Sequence, residues 1–230
     1  MKKLLLATLV STAAIAGTPT LAPVEINKVY SPTGFDSNDK AEVVVSGWLP
    51  NACQKLPTYQ IKKTNNLIDI SMNALRYDES NPYCPPERVP FIQKVKLGSL
   101  NPGSYELEVN KKQDSASYDR LKVVKAEQPS VDSNKYPFVT KINVDQTKDR
   151  VYLTALRDSD CYALDSVEII NDGKNTYSVM PVLKKVRDFC PKKMQPISVS
   201  FDIPDSLNSR KILLHVRSTS GKAVNKIIKN

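Results

Sequence analysis

Histidine is nearly missing from this chain: among 230 residues only His215 offers an imidazole. Imidazole is the usual general base near neutral pH, so Ser–His–Asp or Cys–His catalysis would have to use that one residue. His215 falls within a strand pattern among basic neighbours, on the side away from the apolar residues, and reads as a surface side chain. No Gly-x-Ser-x-Gly elbow accompanies it. Glycine is scarce too, seven residues against sixteen prolines, and no Gly-rich phosphate loop is present. The four cysteines include no Cys-x-x-Cys pair and have no histidine nearby, which argues against zinc. Asp158-Ser159-Asp160 has the first acids of a calcium loop but lacks the following glycine and the distal glutamate. The sequence therefore implies no metal and no cofactor. The aromatic interleaving of single-strand binders is also absent, which disfavours nucleic acid.

The chain opens with Met1-Lys2-Lys3, an apolar stretch from Leu4 to Ala13, and the small-x-small run Ala14-Ile15-Ala16. This order is that of a secretory signal peptide, residues 1–16, and the apolar stretch is too short to span a bilayer. The short lysine-led leader is of bacterial type, and no cysteine follows it to carry a lipid. No later segment is apolar for long enough to be a transmembrane helix. A soluble periplasmic or secreted address is expected. The chain carries 33 basic and 24 acidic residues, and most of the positive excess falls in the second half.

Short runs in which Val, Ile, Leu and Tyr alternate with Lys, Glu and Ser dominate, while long helical patterns are absent, so the expected fold class is all-β. An internal repeat organises it. Cys53 is followed by strand-like Tyr59–Ile61 and Leu67–Ile70, then Cys84-Pro85 and Pro90. Cys161 is followed by Val167–Ile169 and Tyr177–Met180, then Cys190-Pro191 and Pro196. Both copies continue into an alternating strand, with Phe91, Val95 and Leu97 in one and Ile197, Val199, Phe201 and Ile203 in the other. Duplication of one β-sandwich of about seven strands explains this agreement. The expected domains are residues 23–126 and 139–230, with the polar, non-periodic segment 127–138 as linker.

Leu97-Gly98-Ser99-Leu100-Asn101-Pro102-Gly103-Ser104-Tyr105 resembles the E–F corner of immunoglobulin- and fibronectin-III-like sandwiches, where a tyrosine hydrogen-bonds the upstream backbone. With Gly47-x-x-Pro50-x-x-Cys53 and Cys84, the segment is similar to immunoglobulin-like modules of uncharacterised bacterial exported proteins. The resemblance implies a fold and no activity. The second copy departs from it, because Ile212 stands where Tyr105 would fall.

Four cysteines in an exported chain allow three pairings. The repeat selects Cys53–Cys84 and Cys161–Cys190, one bridge per domain. Trp48 and Phe91 read as core. Tyr77, Tyr83 and Arg88 flank the Pro-rich run Asn81–Pro86, which a disulfide would anchor and pre-organise for contact. Lys184, Lys185, Arg187, Lys192 and Lys193 bracket Cys190 and form a candidate positive patch for an acidic partner.

The expected function is non-catalytic: a binding or scaffolding protein of the envelope or secreted fraction that meets a protein or acidic polysaccharide through its end loops. One alternative is an inhibitor of a secreted protease, using the loop around Cys84. Another is an enzyme of envelope polymers working through loop carboxylates such as Asp158 and Asp160 or Asp78 and Glu79.

Overall fold

The computed structural model describes residues 19–55, 57–77, 84–203 and 211–229, so the predicted leader lies outside it. The alternating runs form strands throughout, and the fold is all-β. The first half contains β1 (Thr20–Pro23), β2 (Glu25–Tyr30), β3 (Phe35–Asp36), β4 (Ala41–Leu49), β5 (Thr58–Thr64), β6 (Leu67–Arg76), β7 (Val89–Gly98), β8 (Gly103–Val109) and β9 (Ser117–Val124). The second contains β10 (Phe138–Asp145), β11 (Arg150–Arg157), β12 (Tyr162–Asn171), β13 (Thr176–Lys185), β14 (Gln195–Asp202), β15 (Lys211–Ser218) and β16 (Lys222–Lys229).

Each half is a sandwich. In the first, sheet β2-β4-β7 faces a sheet ordered β1-β6-β8-β9-β3, with β5 also paired to β6. In the second, β10-β11-β14 faces β12-β13-β15-β16. The cores are the inward residues of each pair of sheets: Val43, Val45, Ile68, Ile70, Leu107 and Leu121 in one, and Val151, Val179, Val199, Ile212, Leu214 and Val216 in the other. Full burial of each such side chain contributes roughly 1.5–3 kcal/mol, before the entropy cost of ordering it.

The two halves follow the same strand path. In each, a hairpin (β5–β6 or β12–β13) lies beside a later strand that runs parallel to its second member: β6 with β8, and β13 with β15. Immunoglobulin-like sheets are antiparallel throughout, so these parallel pairs set this sandwich apart. The turn before β8 is closed by a tyrosine hydrogen bond to the upstream backbone. Tyr105 is buried, and its hydroxyl donates to the Asn101 carbonyl at 2.8 Å. Tyr105→Phe is expected to lower stability by about 1 kcal/mol, seen as a shift of the urea midpoint with the slope unchanged.

The sandwiches stack face to face. Tyr30 and Val44, on the outer face of β2-β4-β7, pack against Leu213 and Ile227 on the outer face of β15-β16. Strands β4 and β15 are consequently buried on both faces: Glu42, Val44 and Ser46 are buried along with Val43 and Val45. Two corrections follow. Phe91 is core as expected, but Trp48 is only partly buried. It shares the outer face with Glu42, Val44 and Ser46 but stands at the rim of the covered area. The second correction concerns His215 and is described with its partners below. Opposite Phe91 the inner face has no room for a side chain. A Cβ on Gly47 would lie 2.2 Å from the Glu25 carbonyl oxygen and 2.6 Å from the Phe91 ring.

Candidate functional site

The cysteines pair as the repeat predicted, Cys53–Cys84 and Cys161–Cys190, with Cα separations of 5.4 and 5.3 Å. Each bridge joins the connection after β4 or β11 to the connection leading into β7 or β14. In the second half this produces an anchored arch. The Val186 amide donates to the Cys161 carbonyl at 2.7 Å, and the Lys193 amide donates to the Asp158 carbonyl at 3.0 Å. With the disulfide between them, residues 186–193 are tied to the β11–β12 corner at three points. The arch holds its apolar side chains outward: Phe189 is 84 % exposed, Met194 51 % and Val186 49 %.

Local acids partly neutralise the predicted positive patch. Lys184 pairs with Asp165 at 2.8 Å, Lys185 with Asp188 at 3.5 Å and Arg187 with Asp160 at 2.8 Å. Lys192 and Lys193 are exposed and make no ion pair among the described residues. Asp158 pairs with Lys135 at 2.5 Å. Asp158 and Asp160, one of the two acid pairs named for polymer hydrolysis, are thus held by separate cations.

In the first half, Arg88 pairs with Glu25 at 2.5 Å and lies over the Trp48 ring, 5.1 Å from its centroid. It therefore caps the rim of the stack, beside an apolar groove of about 180 Å³ lined by Trp48, Phe91, Ile92 and Ile227. Tyr77 is partly buried. Tyr83, Asp78, Glu79 and the first half of the Pro-rich run, on which the inhibitor reading depends, lie outside the described residues.

The seam between the sandwiches carries the charges that sequence reasoning missed. His215, expected at the surface, is only 4 % exposed. Alternation did place it away from the core of its own sandwich, but the first sandwich covers that face. Its Nδ1 lies 2.8 Å from the Asn225 amide oxygen, while the Asn225 amide nitrogen donates to Glu42 at 2.8 Å. With the amide so oriented, Nδ1 carries the proton and donates. Glu42 also pairs with Lys94 at 3.1 Å, and the Phe35 ring meets the imidazole edge-on at 5.6 Å. Nearby, buried Arg217 reaches Asp39 and Asp132, and Ser178 and Thr33 exchange two hydrogen bonds across the seam. Asp132, in the predicted linker, also accepts from the Ser220 and Gly221 amides at the β15–β16 turn.

Burial holds the pKa of His215 below its ordinary 6.5; the Glu42 carboxylate opposes that shift, and the Arg217 and Lys94 cations reinforce it. The unfolded chain therefore takes up a proton near pH 6.5 that the folded chain still refuses. Stability is complete above that pH and falls as pH drops below it, by at most about 1.4 kcal/mol per pH unit. Urea titrations at stepped pH should show this slope in the wild type and lose it in His215→Gln.

Residues 43–118 match the family model described as the ORF11 beta-sandwich domain. The match runs from β4 into β9 and so covers most of the first sandwich. Match and geometry agree on a β-sandwich module. No curated protein and no solved structure matches the chain. Among the described residues, no group of His, Cys, Asp and Glu could hold a metal ion, and no helix is long and apolar enough to cross a membrane. The two disulfides are consistent with an oxidising compartment.

Proposed function

We propose that the chain is a non-catalytic binding or scaffolding protein of the bacterial envelope or secreted fraction, with the Cys161–Cys190 arch as its contact surface. The observation that carries this reading is Phe189, a large aromatic side chain left in water on a loop tied down at three points. A loop fixed in advance spends little ordering entropy when it meets a partner. The one imidazole of the chain is sequestered in the seam, where it serves packing between the sandwiches. Export is supported by the disulfides together with the predicted leader. Origin by duplication is supported by the common strand path and by a bridge at the same place in each half. The Tyr105 corner supports kinship with immunoglobulin- and fibronectin-III-like modules, while the parallel pairs make that kinship a distant one.

Retention on an envelope fraction tests the role. The oxidised wild type should be retained. A variant with residues 186–189 replaced by Gly and Ser, both cysteines kept, should pass through. Equal retention of the two would reject the arch as the contact surface.

A further inference from the structure

We infer that the arch docks on an anionic lipid bilayer, with Phe189, Val186 and Met194 entering the headgroup region while Lys192 and Lys193 meet lipid phosphates. This partner presupposes that the arch is the contact surface, as proposed above. Three features of the arch select it. The first is the grouping of apolar side chains. Other exposed large apolar residues, such as Ile92 and Tyr118, are single positions on strands, and Leu21 and Leu75 make one cross-strand pair with no cation described as free beside it. In contrast, Val186, Phe189 and Met194 fall within nine residues of one anchored loop.

The second feature is charge. Around the arch, Asp158, Asp160, Asp165 and Asp188 are each matched by a cation, and Arg157 is partly buried with its guanidinium on the Tyr162 carbonyl, which leaves Lys192 and Lys193, among the described residues there, as exposed cations without an ion pair. They sit between Cys190 and Met194, next to the apolar group. Aromatic rings favour the headgroup level of a bilayer, and lysines lay their stems along apolar surface while the ammonium stays with phosphates. A soluble polyanion would engage the two lysines and leave Phe189, Val186 and Met194 in water. A bilayer engages both sets.

The third feature is the anchoring. The bonds from Val186 to Cys161, from Lys193 to Asp158 and across Cys161–Cys190 hold the apolar side chains outward without a partner. Insertion then needs no refolding of the loop. Two free lysines and three apolar side chains amount to weak, reversible binding, comparable to anchors that need a second signal for stable residence.

The test is co-sedimentation of the oxidised protein with vesicles of phosphatidylcholine and phosphatidylglycerol in equal parts, against vesicles of phosphatidylcholine alone. Binding is expected on the anionic vesicles and should weaken steeply in high salt. Phe189→Ser should reduce the partition coefficient about tenfold or more, the effect of leaving one large apolar side chain in water. The double variant Lys192→Glu/Lys193→Glu should also abolish the preference for anionic lipid. These side chains are exposed, so both variants should keep the wild-type urea midpoint. A Phe189→Trp variant should shift its emission to the blue on anionic vesicles, beyond any change shown by the wild type with Trp48 alone. No sedimentation, no shift, or sedimentation indifferent to Phe189→Ser would overturn the lipid assignment. If the arch variant still lost retention on the envelope fraction, the contact surface would stand with another partner. Binding to a soluble acidic polysaccharide that needs the lysines but not Phe189 would identify that partner and likewise overturn the assignment.

Discussion

Arg217→Ala is expected to cost about 3–5 kcal/mol of unfolding free energy, the range for removing one member of a buried ion pair. Arg217 lies on β15 with only 8 % of its surface exposed, and Asp39, its partner across the seam, is 2 % exposed. Burial works against the guanidinium charge, but Asp39 and Asp132 outweigh it and hold the Arg217 pKa above its ordinary value. Asp39 cannot turn to water once the arginine is gone, because its second oxygen accepts the Asp36 amide at 3.0 Å. The loss comes mostly from that stranded carboxylate. Asp39→Asn in the alanine background should therefore restore part of it, and a double-mutant cycle would measure the coupling. A loss below about 1 kcal/mol, the range of exposed pairs, would mean that water reaches the seam.

The disulfides are the second large term. Cys161→Ser/Cys190→Ser opens a covalent loop with a sequence separation of 29, and Cys53→Ser/Cys84→Ser one of 31. In the chain-entropy model each closure contributes roughly 3–4 kcal/mol. Domains of this size have net stabilities of about 5–15 kcal/mol, so either double variant should unfold at a much lower urea concentration, and reduction of both bridges should come close to abolishing the fold. Urea curves with and without reductant measure this directly; coincident curves would show that the bridges carry no stability. Loss of the Cys161–Cys190 bridge should also loosen the arch while leaving its side chains in place.

Within each sandwich, much of the structure was legible in the sequence because alternation reports which residues face a core. Tyr59–Ile61, Leu67–Ile70, Val167–Ile169 and Tyr177–Met180 all lie in strands. Cysteine and proline spacing in the repeat was enough to select both bridges. What alternation cannot report is what covers the other face. Leu213, His215 and Arg217 look like the water side of β15 until a second sandwich is laid on them, and the same holds for Glu42, Val44 and Ser46 on β4. A signal was present: Val44 and Leu213 interrupt the polar face with apolar residues, a cost in water that only a partner surface removes. The parallel pairing of β6 with β8 and of β13 with β15 had no such signal, because strand direction leaves no mark on a period of two. The arch was half legible. Its lysines and cysteine stood out, but their pairing with Asp158, Asp160, Asp165 and Asp188 depends on the fold, and Phe189 drew no notice as one aromatic residue in a polar run.

Because the stacked sheets share a buried seam, the connection between the halves bears little of the work of keeping them together. Residues 127–131 run exposed along the outside, where the Gln128 and Ser130 carbonyls accept from the Asn38 amide and the Val131 carbonyl from Arg217, and Asp132 beyond them is engaged with Arg217 and the β15–β16 turn. Limited proteolysis that nicks the chain in that exposed stretch should yield two fragments that travel as a single species on gel filtration and separate only in denaturant. Either half expressed by itself would show water the apolar patch that its neighbour normally hides, and should collect in inclusion bodies.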